Sequence, residues 1–414
     1  MIKIDKIVPG GQGLGTSDDG KKVFFWNALP GEEVEEYTVT KNKSHYQEAI
    51  ATQISTPSSF RVFPQDNCYL STSPWQIIDY PYELKLKQEL VVEIFREHHI
   101  DISTPEIFTD DQDYHYRNKM EYSLYWNHDT KRIHLAFHQR GSHRKIPITQ
   151  SSIERPEIFK KAQQIVDELN QNHDEARRYQ SLLLRCNQSG KVEGGLYENH
   201  QPHPIFPQLT DTILGHTYSY SPNGFFQINL PVYEMALQAI KSHITAGEVL
   251  DLYAGVGTIG LSVARNKHLT LVECDKFAFD EMVKNITRIA RFETIRDNGS
   301  EVASEPRNDG RERSGSRIEL SSNIRSILDK SENILNHIKK SQTIILDPPR
   351  SGCDKKLINK LLYIHPTKII YLSCNPATQA RDISLLLDHY HIDDIKTFNF
   401  FPHTPHIENL VILS

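Results

Sequence analysis

Cys374 stands in Ser373-Cys374-Asn375-Pro376, directly after the apolar run Lys368 to Ser373, and a thiol at the end of a strand is a candidate nucleophile. A lone cysteine reads equally as a buried structural residue. Its neighbours in the pattern favour chemistry: the runs Glu248 to Asp251, Leu269 to Glu273 and Thr343 to Asp347 also end on polar residues. Each run is apolar enough for a strand buried on both faces. In an open α/β sheet the ligand crevice lies beyond the carboxyl ends of the strands, so Asp251, Glu273, Asp347 and Cys374 are expected to converge there. A further acid, Glu408, closes Phe401-Pro-His-Thr-Pro-His-Ile-Glu408 ahead of a last strand, Asn409 to Leu413. It reads as a solvated loop acid or as one more functional carboxylate.

Asp251-Leu-Tyr-Ala-Gly255-Val-Gly257-Thr-Ile-Gly260 follows a strand and opens a helix. Glycines let a backbone approach an adenosine-bearing ligand, and an acid at the next strand end, Glu273, can accept hydrogen bonds from both ribose hydroxyls. The spacing also satisfies the dinucleotide fingerprint G-x-G-x-x-G, so a nicotinamide-dependent oxidoreductase is a serious reading. Rossmann dehydrogenases carry that loop near the start of a domain. Here the aromatic lead-in Asn223-Gly-Phe-Phe-Gln-Ile-Asn229 precedes it, and two strand-end motifs follow. One is Ser-Cys-Asn-Pro; the other, Asp347-Pro-Pro-Arg350, is a rigid corner suited to holding a base against a cofactor.

These motifs require a doubly wound parallel sheet, and residues 206–414 alternate strands and helices in that manner. A chain of 414 residues exceeds the usual single core, so further domains are expected before it. Residues 1–57 read as a small β-barrel, with short alternating segments broken at Pro9-Gly10-Gly11, Asp18-Asp19-Gly20 and Leu29-Pro30-Gly31. Lys21, Lys22, Lys41, Lys43 and Arg61 lie among Phe24, Phe25, Trp26 and Tyr46; the aromatics either stack on single-stranded RNA or fill the barrel core. Residues 58–205 read as a central α+β domain, with helices from Tyr82 to His98 and Pro156 to Gln171 and strands from Glu121 to Trp126 and Ile133 to His138. Its basic stretch, Arg117, Lys119, His138, Arg140, His143, Arg144 and Lys145, is either a solvated edge or a contact surface for an RNA backbone. Asp297 to Arg317 has almost no apolar content, which predicts a disordered insertion over about 295–317.

No apolar run approaches the roughly 20 residues that span a bilayer, so no membrane role is expected. Met1 to Val8 lacks the apolar core of a signal peptide, and a cytoplasmic location is expected. Cys68, Cys186, Cys274, Cys353 and Cys374 are scattered, which fits neither a disulfide framework nor a zinc site. The net charge of −6 opposes indiscriminate nucleic-acid binding and leaves RNA to local basic patches.

On these motifs the C-terminal half resembles the RNA (uracil-5-)-methyltransferase family, and the resemblance implies an α/β fold with a Rossmann-like methyltransferase domain using S-adenosylmethionine. Gln227 matches the family's cofactor-contacting glutamine, Tyr253 and Thr258 its glycine-loop positions, Glu273 its ribose acid and Asp347 its Asp-Pro-Pro-Arg carboxylate. Asn323 is matched to a cofactor contact after the third strand. Cys374 matches the nucleophile and Glu408 the proton-abstracting base. The barrel is similar to a TRAM domain, an RNA-binding module often fused to these enzymes. Many relatives hold an iron–sulfur cluster on four cysteines. Here Cys68-Tyr-Leu-Ser-Thr-Ser-Pro-Trp75-Gln76 and Gln150-Ser151-Ser152 supply one, so no iron–sulfur cluster and no metal are expected.

The resemblance implies attack of Cys374 on carbon 6 of a uracil flipped from its stack, methyl transfer to carbon 5, and removal of the carbon-5 proton by Glu408. The relatives that carry a TRAM domain point to 23S rRNA as partner, with tRNA as the alternative, acted on by a monomer. An oxidoreductase, a catalytically idle RNA-binding protein and a nitrogen-directed methyltransferase remain as rivals; the last needs no thiol after its strand.

Overall fold

The computed structural model describes residues 1–172, 177–199, 201–203, 206–298, 317–319 and 323–414. The insertion expected over about 295–317 falls, at 299–316, outside the described residues. Internal packing divides the chain into two compact units, one of residues 1–97, 101–207 and 399–407, the other of 98–100, 208–398 and 408–414.

In the first unit, β1 (Ile2–Ile7), β2 (Gly13–Thr16), β3 (Lys22–Trp26), β4 (Glu33–Asn42) and β5 (Tyr46–Thr56) close a barrel in the order β1-β2-β3-β5-β4. The two-residue period of β3 sorts its side chains. Val23 and Phe25 join Ile2, Ile4 and Val34 in the core, while Phe24 and Trp26 are partly exposed. Phe25 therefore fills the barrel, edge-on to Tyr37. Trp26 is covered by Arg140, whose guanidinium carbon sits 4.0 Å from the ring centroid. Arg140 also donates from Nε to the Leu70 carbonyl, so this cation is engaged in packing rather than lying on a solvated edge.

The helix expected from Tyr82 to His98 runs from Tyr80 to Glu97 and buries Glu83 and Lys87, an i,i+4 ion pair at 2.8 Å. Both ions are further satisfied: Lys87 Nζ donates to Asn399 Oδ1 at 2.6 Å, and Glu83 accepts the His403 amide at 2.9 Å. After the short β6 (Glu106–Phe108), the strands β7 (Lys119–Asn127), β8 (Arg132–His138), β9 (Lys145–Pro147), β10 (Ser181–Cys186), β11 (Val192–Glu198) and β12 (Gln201–His203) form an antiparallel sheet ordered β12-β11-β10-β7-β8-β9. Beside Cys68, buried Asp66 Oδ2 accepts from the Ser152 amide at 3.1 Å, the Ser152 hydroxyl at 2.7 Å and Gln76 Nε2 at 2.9 Å. Among the described residues no group of three or more His, Cys, Asp or Glu could hold a metal ion.

The second unit begins with the hairpin β13 (Leu209–Ile213) and β14 (His216–Tyr220). It continues with β15 (Glu248–Leu252), β16 (His268–Glu273), β17 (Arg317–Glu319), β18 (Ile324–Leu328), β19 (Gln342–Leu346), β20 (Lys368–Ser373), β21 (Ile392–Phe398) and β22 (Glu408–Leu413), ordered β17-β18-β16-β15-β19-β20-β22-β21. Strands β18, β16, β15, β19 and β20 run parallel, and β22 inserts antiparallel between β20 and β21. Every residue of β19 and β22 is buried, as expected of strands covered on both faces. The strand order reverses between β15 and β19, the switch point at which such sheets open a crevice. No helix among the described residues is long and apolar enough to cross a membrane.

Candidate active site

The glycine loop leaves β15 through backbone that only a few residue types adopt readily. Tyr253, Gly255 and Gly257 have φ of 65°, 57° and 86°. A Cβ on Gly255 would meet nothing within 4 Å, whereas one on Gly260 would lie 2.6 Å from Leu271 Cδ2 and 2.7 Å from Asp251 Oδ2. The first glycine turns the chain beside open space; the last lets the helix Thr258–Val263 press against the sheet. The Gly260 amide donates to Asp251 Oδ2 at 2.8 Å, and Asp251 is fully buried. Burial pushes its carboxyl up to about 8, against the pull of the Gly260 amide and helped by the charges of Asp347 and Glu273.

Glu273 ends β16, with Oε2 accepting from the Gly255 amide at 2.8 Å and Oε1 from the amides of Cys274 at 2.8 Å and Asp275 at 2.7 Å. The acid is thereby fixed beside the glycine loop. Thr258 opens the following helix and hydrogen-bonds the buried Tyr233, and the Tyr253 hydroxyl bonds the Ser331 side chain. Gln227 lies in the aromatic lead-in, anchored by Phe226 stacked on Tyr220 at 3.9 Å. A Cβ on Gly224 of that segment would be 3.5 Å from Phe277, which sits just past Glu273, so the lead-in runs beside the end of β16.

The two corners after β19 and β20 are latched together. Asn375 caps the helix Pro376–Leu386 by accepting from the Ala377 amide, and its Nδ2 donates to the Arg350 carbonyl at 2.8 Å. Thr378 Oγ1 donates to the same carbonyl at 3.1 Å, and Arg381 to that of Ser351 at 3.0 Å. Antiparallel pairing of β20 with β22 matches Ser373 with Asn409. One residue further, Cys374 comes opposite Glu408, where facing residues have Cα atoms about 5 Å apart. Gln379 secures this register, donating to the carbonyls of Tyr371 at 2.8 Å and Asn409 at 3.0 Å.

Electrostatically the corner is crowded with acids. Burial pushes Asp347 up to about 7. Burial, then the charge of Asp347, holds Glu408 well above the carboxylate range, while Arg350 pulls it back. The Cys374 thiol is pushed up to about 11 by burial, then by Glu408 and Asp347. Arg350 opposes this by its charge and by a side-chain hydrogen bond to Cys374.

The structure thus brings Tyr253, Thr258, Glu273, Asp347, Cys374 and Glu408 to the carboxyl edge of the parallel strands, with Gln227 in the segment beside it. Asn323 is not among them. It precedes β18 at the strand's amino end, where Nδ2 donates to the carbonyls of Arg265 at 2.7 Å and Lys267 at 3.0 Å. The five residues of β18 carry the chain about 16 Å to the other edge. There Asp329 follows the strand, its amide donating to the Glu273 carbonyl at 3.0 Å. Sequence reading missed Asp329 because β18 emerges from the insertion without a clear apolar run, and it passed over Arg350 although its motif was noted. The crevice fits S-adenosylmethionine: it is lined by carboxyl groups, suited to a cationic ligand when ionised, and Glu273 stands beside a glycine turn open to a ribose.

A parallel sheet in this order, with an antiparallel penultimate strand and a glycine loop beside an acid, defines a Rossmann-like methyltransferase. The model of the tRNA (uracil-5-)-methyltransferase family matches residues 212–414. An uncharacterized RNA methyltransferase of Lactobacillus johnsonii is 26% identical, over 95% of this chain and 94% of that protein. One from Prochlorococcus marinus is 27% identical, over 93% and 99%. The solved Pyrococcus abyssi tRNA (uracil-54, C5)-methyltransferase, in complex with S-adenosyl-L-homocysteine, shares the fold along 100% of both chains with a TM-score of 0.71 at 19% identity. Residues 212–414 are thus a domain of the tRNA (uracil-5-)-methyltransferase family, and the protein is an RNA methyltransferase that takes its methyl group from S-adenosylmethionine.

Proposed function

We propose that this enzyme methylates carbon 5 of a uridine through a covalent adduct on Cys374, with Glu408 as the base that resolves it. The observation that carries the reading is the strand register that sets Cys374 opposite Glu408 beside the Asp347 corner. S-adenosylmethionine supplies an electrophilic methyl on a cationic sulfur. Cys374 Sγ, as thiolate, adds to carbon 6 and drives the ring electrons onto carbon 5, which takes the methyl as the methyl–sulfur bond breaks. Glu408 then removes the carbon-5 proton. That electron pair re-forms the carbon 5–carbon 6 double bond and expels the Cys374 thiolate.

Gln227, Tyr253, Thr258, Glu273 and Asp347 are the cofactor-binding set, with Asp329 in place of Asn323. Residues 1–57 form the RNA-binding barrel, 58–205 the central domain and 206–414 the catalytic domain of a cytoplasmic monomer. The substrate is 23S rRNA; transfer RNA, named for the matching family and the Pyrococcus enzyme, is the alternative that the test separates. Unmodified total RNA is incubated with methyl-labelled S-adenosylmethionine and wild type, Cys374→Ala or Glu408→Gln, then fractionated and digested to nucleosides. Label in 5-methyluridine of the large ribosomal RNA, absent with Cys374→Ala, is expected, with Glu408→Gln retained on RNA in denaturing gels. Near wild-type methylation by Cys374→Ala refutes the adduct, and label in transfer RNA alone reassigns the substrate.

A further inference from the structure

The proposed reaction needs two groups to be anionic in turn, Cys374 when it attacks and Glu408 when it takes the proton. Both stand in surroundings that oppose charge. Cys374 is faced by Glu408 from β22 and by Asp347 and Arg350 from the corner after β19. Glu408 is buried and feels Asp347 and Arg350. Two anions side by side with a third acid near them cannot readily form together. Arg350 is the cation that both share.

Its placement is built. The Arg350 carbonyl accepts from Asn375 and Thr378, the residues that flank and cap the turn carrying the thiol. Ser351 and Cys353 are tied to Arg381 and Asp382 of the same helix, at 3.0 Å and 2.8 Å. The backbone of the Asp-Pro-Pro-Arg corner therefore cannot move without moving Cys374, and the guanidinium, exposed towards solvent, reaches the thiol with a hydrogen bond.

Resting on the adduct reading, we infer that Arg350 is the shared counter-cation of this centre: its guanidinium holds the charge of Cys374 Sγ during attack, and that of Glu408 once methyl transfer to carbon 5 has neutralised the first. When Sγ bonds to carbon 6 the charge passes from sulfur to the uracil ring, and it is neutralised as carbon 5 takes the methyl from the cationic sulfur. Glu408, relieved of that neighbour and still facing Arg350, releases its own proton to solvent and can accept the one on carbon 5. Elimination returns the electron pair to Sγ, and the guanidinium is again the thiolate's partner. An arginine serves here because it stays charged throughout and offers several donors in one plane.

The test compares wild type, Arg350→Met and Arg350→Lys. Alkylation of Cys374 by iodoacetamide is followed peptide by peptide between pH 7 and 9, without RNA, alongside 5-methyluridine formation. Loss of the cation should slow alkylation about tenfold at a given pH, the effect of one pH unit on a thiol. Methylation should fall by at least that factor, and Arg350→Lys should recover most of the alkylation rate. Binding of S-adenosylhomocysteine, unchanged in all three, shows that the variants are folded. Arg350→Met alkylated at the wild-type rate across this range overturns the inference, even where wild type forms 5-methyluridine. Wild type that forms none overturns the adduct reading instead, while the alkylation rates still decide whether Arg350 partners the thiol.

Discussion

Binding of S-adenosylmethionine should be coupled to ionisation of Asp347. Burial holds that carboxyl up at about 7, so it is neutral below this pH and anionic above it. A cationic ligand prefers the anion; affinity is therefore complete above pH 7 and lost as the pH falls through it. If the tight complex requires the ionised form, the apparent Kd scales as one plus the ratio of protonated to ionised carboxyl. From pH 8 to pH 6 this ratio rises from about 0.1 to about 10, weakening binding about tenfold, or ~1.4 kcal/mol. Titration calorimetry at pH 6, 7 and 8, in two buffers of different ionisation heat, reads both the Kd and the protons released, close to one at pH 6. Asp347→Asn should bind more weakly than wild type at pH 8 and show a much shallower pH dependence. A wild-type Kd constant within twofold over this range, or an unaltered slope in Asp347→Asn, refutes the reasoning.

Gly260→Val should lower the melting temperature and cost about 1–3 kcal/mol, because its Cβ would press on Leu271 and Asp251; thermal melts with and without S-adenosylhomocysteine check it. Lys87→Ala should destabilise the first unit by about 3–5 kcal/mol by leaving Glu83 buried without its cation, whereas Lys87→Met combined with Glu83→Gln should recover most of the loss in calorimetric melts.

Much of the second unit was legible because its signals are local. Buried parallel strands are short apolar runs, their ends are punctuated by Gly, Pro or an acid, and the crevice lies at those ends. Strands β15, β16, β19 and β20 are found within a residue of their expected bounds. Strand β18 escaped because Ile-Arg-Ser-Ile-Leu interleaves polar residues and follows the insertion, and losing it put Asn323 at the wrong end of the sheet. In the barrel the alternation of β3 was visible, but which face was inside was not. Only closure with β5 and β2 assigned Phe25 to the core.

The sequence by itself determined the chemistry that could occur: a thiol, several carboxylates and a glycine loop, each at a strand end, and an arginine locked to a proline corner. Whether those groups act on one another was decided by tertiary structure. Cys374 and Glu408 become neighbours only because β22 inserts between β20 and β21 in one particular register, a pairing that no local preference encodes. Their protonation is likewise non-local. Desolvation depends on everything packed around a group, and charges act across elements far apart in the chain, so the acids of this crevice titrate as the fold dictates.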